Sequence, residues 1–208
     1  FPKSIFGFKY ILCVVDASTN YLWVAFLKSK SSDEVKGAFE QFMTDSRPHL
    51  IPGKKITWHT DNGGEFTSHD LDAFCEEFTI HRSFSVPFAP PQNAQAERMW
   101  GILLRTTRIL LCESHVPDKF WEFAVRHACN LHNILPSSTL PNEISPHQAL
   151  HRCPPDVRKY RVWGCITWYR LEPHERTSKL SPRAVPASHL GLDPERLGYL
   201  VSVPPPKR

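Results

Sequence analysis

The chain predicts a mixed α/β fold, one sheet with helices on both faces, followed by a small β-rich module. Short apolar runs rich in strand formers alternate with segments of helical period up to Pro136. Their order is strand, strand, helix, strand, helix, strand, loop, helix, helix, which suits a mixed sheet covered on both sides. Beyond Pro136 the texture changes: Pro141, Pro146, Pro154 and Pro155 punctuate a connector, and only short strands follow.

Each element has a local reason. Tyr10 to Val15 is a continuous apolar run, too short for a helix. Asp16 to Asn20 reads as a turn and Tyr21 to Leu27 as a second strand, making a hairpin. Ser32, Asp33 and Glu34 cap a helix with Val35, Phe39, Phe42 and Met43 on its apolar face, ending before Pro48. Lys55 to Thr60 is a short strand. Ser68 caps a helix carrying Leu71, Phe74, Cys75 and Phe78, and Ile80 to Val86 is the next strand. Pro87 to Gln95 holds three prolines and no period, so it is read as a loop. The helical period returns from Ala96 to about Cys112, with Met99, Leu103 and Leu110 on one side. Asp118 starts another helix, with Phe120, Phe123, Ala124, His127, Ala128, Leu131 and Leu135.

Arg161 to Arg170, Ala187 to Leu190 and Tyr199 to Val203 read as the strands of the module, with Trp163 and Trp168 assigned to its core. The division expected is 1–136 for the sheet-and-helix core, 137–158 for the connector, 159–203 for the module and 204–208 for a loose tail.

Composition narrows the function classes. The net charge of +4 permits a nucleic-acid partner without requiring one. The six cysteines form no Cys-x-x-Cys pair, and none of the eleven histidines pairs with them at zinc-ligand spacing. They read as reduced residues, mostly in the core, of an intracellular protein. No apolar run approaches the roughly 18 residues of a membrane span, and Phe1-Pro2-Lys3-Ser4 does not read as a signal peptide but as an internal point of a longer chain.

Two acids carry the chemistry. Asp61 ends an apolar strand at Asn62-Gly63-Gly64, and Glu97 opens a long helix after the Pro-rich loop. A strand tip and a helix start can bring two hard oxygen ligands to one cleft. There they can share a pair of Mg²⁺ or Mn²⁺ ions about 3.5–4 Å apart, the arrangement that clamps the attacking and leaving oxygens of a phosphodiester. A carboxylate in the first turn also gains about 0.3–1 kcal/mol from the helix dipole. Glu97, Gly101, Leu104, Arg105 and Arg108 fall on one side at helical spacing, so two guanidinium groups follow the acid along one face. Arg98, Arg105 and Arg108, with Asn62, Gln92 and Asn93, are the candidate contacts to nucleic acid. Singly, each feature has a duller reading: a turn aspartate, a dipole partner, a solvated basic face. Jointly the two acids favour metal.

Along nearly its whole length the chain resembles the copia-type retrotransposon integrases, a branch of the retroviral integrase superfamily. Matching segments are Tyr21-Leu22-Trp23-Val24, Asp61-Asn62-Gly63-Gly64-Glu65-Phe66, Val86-Pro87-Phe88 leading to Gln92-Asn93, Ala96-Glu97-Arg98-Met99 and Arg161-Val162-Trp163-Gly164-Cys165. Ser178 to Ala184 and Leu190-Gly191 look like the SH3-like module that follows in the family. The resemblance implies an RNase H-like core, Mg²⁺ dependence and insertion of element DNA into a host genome. It makes Asp61 and Glu97 the second and third members of an Asp-Asp-Glu triad. The first member, and the central strand that carries it, are expected upstream of Phe1, the chain being either a fragment or a decayed copy that cannot fully assemble a two-metal site. That strand would pair with both Tyr10–Val15 and the Ile56–Thr60 segment. Asp16 is rejected as a substitute and read as a turn residue, roughly 17–20 Å from the active edge at about 3.3 Å per residue.

The function expected is therefore a polynucleotidyl transferase, the integrase core of a retrotransposon polyprotein, inactive as this chain alone. DNA is its partner, a homo-oligomer its assembly and the nucleus its place of action. A non-catalytic nucleic-acid-binding or scaffolding domain derived from an integrase is the alternative. An RNase H-type nuclease on the same fold is a third, disfavoured by the Pro-rich loop and the appended module.

Overall fold

The computed structural model describes residues 1–50, 55–60, 63, 69–84, 94–114, 116–194 and 196–204. The first hairpin is β1 (Tyr10–Val15) and β2 (Leu22–Leu27), antiparallel, with Tyr10 opposite Leu27 and Val15 opposite Leu22. Its turn is built by Asp16, whose Oδ2 accepts from the Thr19 N–H at 2.9 Å and from the hydroxyls of Ser18 and Thr19. That arrangement leaves Asn20 at φ 58°, which asparagine tolerates better than most residues.

Helix α1 (Ser32–Ser46) is capped one residue earlier than predicted, by Ser31. The Glu34 carboxylate folds back instead to accept the N–H groups of Lys28 at 2.7 Å and Ser29 at 3.1 Å. Strand β3 (Ile56–Thr60) pairs in parallel with β4 (Ile80–Phe84), and α2 (His69–Glu77) lies between them in sequence. A parallel pair needs such a crossover. Val35, Phe39 and Met43 of α1 pack against Leu71, Phe74 and Cys75 of α2 and against Ile80.

Two helices cover the other face. In α3 (Ala94–Ser114), Met99 and Leu103 meet Trp121, Val125, Ala128 and Cys129 of α4 (Trp121–Ile134). The α4 start predicted at Asp118 is a single 3₁₀ turn, Asp118–Phe120, that leads into the helix. Asn133 secures α4 to the hairpin: it accepts from the Leu22 N–H at 2.9 Å and donates to the Leu22 carbonyl at 2.8 Å. Along β1, Leu12 and Val14 pack with the α1–α2 cluster, whereas Ile11, Cys13 and Val15 pack with the α3–α4 cluster. A strand covered on both faces needs apolar residues at every position, hence the unbroken run seen in the sequence.

One expectation takes a different form here. The mixed sheet is present as two halves, antiparallel β1–β2 and parallel β3–β4, with no ladder between them among the described residues.

The connector is partly helical, with α5 (Pro146–His151) capped by Ser145, which accepts from the Gln148 N–H. Beyond it, β5 (Ile166–Arg170), β6 (Ala184–Leu192) and β7 (Tyr199–Ser202) form an antiparallel sheet in that order. Its first strand starts later than predicted because the chain turns at Gly164, φ +76°, whose N–H donates to His189 O at 2.7 Å. That turn buries Trp163 beside Leu190, Val116 and Ala124, so the module's apolar cluster is shared with α4. A Cβ at Gly164 would stand 2.1 Å from Ser114 Cβ, which only glycine avoids.

Trp168 corrects the sequence reading: it is 69% exposed, on the outward face of β5 with Ile166. Strand alternation sends it out while the preceding turn carries Trp163 in. The cysteines are free, and Cys112 and Cys153 are exposed rather than core.

Candidate functional site

Of the sequence-predicted site residues, Asp61, Asn62, Gln92 and Asn93 lie outside the described residues. Their chain neighbours are informative. Thr60 is the last residue of β3, and Ala96 lies in the first turn of α3. Both line one cleft of about 810 Å³. Its walls are Leu12 to Val15 of β1 and Ile56 to Thr60 of β3, and Phe39, Phe42 and Met43 of α1 form its floor. Thus the residue before Asp61 and the residue before Glu97 face the same space.

Glu97 is exposed in the first turn of α3. The predicted stripe is solvent-facing: Gly101, Arg105 and Arg108 are exposed with it, and Leu104 is half-buried. Arg98 is exposed as well. Met99, Leu103 and Thr107 are buried on the opposite side, which fixes the rotation of the helix. An acid at the positive end of the helix and two arginines about two and three turns beyond it make a surface able to hold a cation and then an anionic backbone.

The helix begins at Ala94, two residues before its predicted start, and this brings in groups the sequence reading passed over. Gln95 donates through Nε2 to Asn20 Oδ1 at 2.7 Å and, more weakly, to the Ala17 carbonyl at 3.4 Å. Asn20 is buried and donates to Thr139 Oγ1 at 2.9 Å, while its carbonyl meets His132 Nε2 at 3.0 Å. The hairpin turn thereby anchors the start of α3. Asp16 belongs to that same turn, next to Ala17. Asp16 remains a turn residue by its hydrogen bonds. No local pattern marks the Gln95–Asn20 contact, because its partners are distant in sequence; a polar pair flanking two elements is the sole hint.

A second unforeseen feature is a histidine cluster near the cleft. The His147 and His151 rings stack at 4.2 Å, and His49 meets His151 edge-on at 4.4 Å. Burial, helped by neighbouring charge, holds the His147 and His151 imidazoles below the usual range, so they stay neutral at pH 7. Among the described residues no three His, Cys, Asp or Glu side chains are arranged to hold a metal ion. Also among them, no helix is long and apolar enough to cross a membrane.

Comparison with known proteins adds the following. Residues 1–90 match the family model described as the integrase core domain. The chain is 31% identical over 207 residues to the "Retrovirus-related Pol polyprotein from transposon TNT 1-94" of Nicotiana tabacum, covering 99% of this chain and 15% of that protein. It is 32% identical over 199 residues to the corresponding polyprotein from transposon RE2 of Arabidopsis thaliana, covering 95% and 13%. The chain therefore spans only a small part of these relatives.

Among solved structures, the HTLV-2 integrase catalytic core domain in complex with magnesium superimposes with a TM-score of 0.52 at 25% identity, covering 66% of this chain and 81% of that one. The simian T-cell lymphotropic virus intasome gives a TM-score of 0.57 at 17% identity over 92% of this chain and 69% of that one, a likeness of fold.

Proposed function

We propose that this chain, which carries an integrase core domain of the copia-type retrotransposon branch, serves as the part of a Pol polyprotein that cuts and joins DNA. One observation supports the reading: Thr60, the residue before Asp61 in the chain, and Ala96, the residue before Glu97, border one cleft. The divisions at residues 136 and 158 are part of the proposal, with the β-rich unit an SH3-like module appended to the core.

Asp61 and Glu97 are proposed as metal ligands. Their donor set suits a hard cation: carboxylate oxygens, one of them on an exposed helix start. Bound Mg²⁺ or Mn²⁺, two ions in the complete site, would supply an activated oxygen nucleophile and charge stabilisation at phosphorus. The chain's own residues bind and orient. Arg105 and Arg108 hold the DNA backbone along the exposed face of α3, and Arg98 extends that face sideways. Asn62, Gln92 and Asn93 are assigned to the DNA near the scissile bond. Gln95, tied to Asn20, keeps the first turn of α3 fixed, so that Glu97 is held in place before DNA arrives. The partners are element-end and target DNA, the assembly a homo-oligomer, and action on host DNA places it in the nucleus.

The test is strand joining by the intact parent polyprotein's integrase, with labelled element-end DNA and Mg²⁺ or Mn²⁺. Asp61→Asn and Glu97→Gln each reduce joining to background while leaving the folded protein intact by circular dichroism. Joining at the unsubstituted rate by either variant would remove the assignment.

A further inference from the structure

We propose that His49, His147 and His151 form a proton-operated latch on the connector. Neutral and in ring contact, they hold α5 against the 3₁₀ turn Arg47–His49 that follows α1. Protonated, they let α5 go.

The contact starts from a spacing of four. The Ser145 cap and Pro146 at the first helical position open α5, and Arg152, φ 60°, closes it with its N–H on the Gln148 carbonyl at 2.9 Å. Residues four apart share a helix face, so the rings of His147 and His151 stack at 4.2 Å with 29° between their planes. His49, from a distant part of the chain, meets His151 edge-on at 4.4 Å. Tyr21, the residue before β2, meets the same ring at 5.6 Å. The connector, the end of α1 and the hairpin thus converge on the His151 imidazole.

Six residues do not hold a helix by themselves, since isolated helices shorter than about 12 residues are marginal in water. α5 therefore depends on what it packs against, which is α4 and the His49 turn. Its place gives the latch consequence: Ala149, Leu150 and Arg152 line the cleft together with His49. Release of α5 would free the connector beside that cleft.

Neutral imidazoles pack as aromatic rings, whereas imidazolium rings at these distances repel one another. The surroundings offer little relief. Lys159 and His49 act on His147, and His147 and His49 act on His151; no carboxylate is among the groups acting on either. Arg47 and Arg152 flank the cluster in the chain. The Tyr21 phenol, pushed up to about 12 mainly by burial, stays neutral, and from α4 Cys129 acts on Tyr21 while His132 is engaged by the Asn20 carbonyl. His147 Nδ1 is buried without a hydrogen-bond partner among the described residues, so a proton there finds no acceptor. Burial first, and the neighbouring charges second, hold both imidazoles low, against one backbone contact from Cys153 to His147. A released imidazole titrates near 6.5 in water. Protons therefore favour release: docking is complete above about pH 6.5 and weakens as the pH falls toward the lowered values.

The latch does not rest on the proposed chemistry of Asp61 and Glu97, and its test contains no DNA. Amide hydrogen exchange of the 208-residue chain is followed at pH 7, 6 and 5 with EDTA present, and corrected for the intrinsic effect of pH. The N–H groups of Ala149 and Arg152 report on α5, through their bonds to the Ser145 and Gln148 carbonyls. Their protection is expected to fall at least about tenfold from pH 7 to pH 5, while Val125 and Ala128 of α4 keep theirs. His151→Phe leaves a ring in the stack that takes no proton, and the fall should shrink to less than about threefold. His147→Phe carries the same expectation and serves if the first variant does not fold. Flat protection at α5 in the unsubstituted chain would overturn the proposal, as would an undiminished fall in a folded variant. So would loss of protection in α4 and α5 together, which is acid unfolding of the whole chain. Protection that follows added Zn²⁺ and not pH would overturn it in favour of a metal clip.

Discussion

The helix pair α3–α4 and the cleft beside β1 treat the same strand in opposite ways. Toward α3 and α4, β1 and β2 meet a filled core: Leu103, Trp121 and Val125 are almost fully buried, and Asn133 satisfies both backbone groups of Leu22. Toward β3 the side chains also find partners, on the aromatic floor of α1, yet among the described residues no backbone ladder joins the two half-sheets. Face packing and edge pairing are thus separable. Helices can hold two half-sheets in place by their faces while the hydrogen-bonded edges between them stay apart. Most of the stability should then reside on the closed side, and the cleft should tolerate change.

The sharpest way to break that comparison is Trp121→Ala. Trp121 is 2% exposed, donates through Nε1 to the Pro2 carbonyl at 2.9 Å, stacks on Phe1 and meets Phe26 edge-on. Removing it empties a large volume between α4 and the hairpin and frees the N-terminal segment. A loss of about 3–5 kcal/mol is expected in urea unfolding. A loss below about 1 kcal/mol would show that the closed side is not the main source of stability.

Acid attacks the same side through His127. Its ring is buried between α4 and β6, its Nδ1 has no hydrogen-bond partner among the described residues, and burial, with His189 nearby, pulls it down to about 4. The folded state therefore binds this proton less readily than the unfolded chain, whose imidazole titrates near 6.5. The sign follows: stability from this group is complete above pH 6.5 and falls as the pH drops toward 4. The loss is about 3 kcal/mol once both states are protonated. Urea midpoints between pH 7 and 4 check it, and His127→Phe should flatten that part of the profile. An unchanged profile in the variant would assign the acid sensitivity elsewhere, His189 being the first candidate because burial lowers it too.

Much of this architecture was legible in the residues themselves. The unbroken run from Tyr10 to Val15 announced a strand covered on both faces, and the 3.6-residue period of α3 placed Glu97, Arg105 and Arg108 together on its exposed side. Helix ends were less legible, since capping depends on which side chain folds back. Ser31 rather than Ser32 caps α1 because Glu34 is drawn to Lys28 and Ser29. Trp163 and Trp168 could not be told apart by residue type; the turn at Gly164 decides which of them is buried. The contact of Gln95 with Asn20 and the histidine cluster join segments far apart in sequence, and no local period encodes them.

The smallest expected effect probes the cleft floor. Phe42 is half-buried, edge-on to Trp23 and tilted toward Trp58 at 6.1 Å, so it touches both half-sheets. Its ring faces space that is already open, and truncation adds to a void instead of creating one in a filled core. Phe42→Ala should therefore cost only about 1–2 kcal/mol, well below the usual range for a buried phenylalanine. A cost as large as that of Trp121→Ala would mean that the floor is as tightly packed as the closed side, and the contrast between the two faces of β1 would fail.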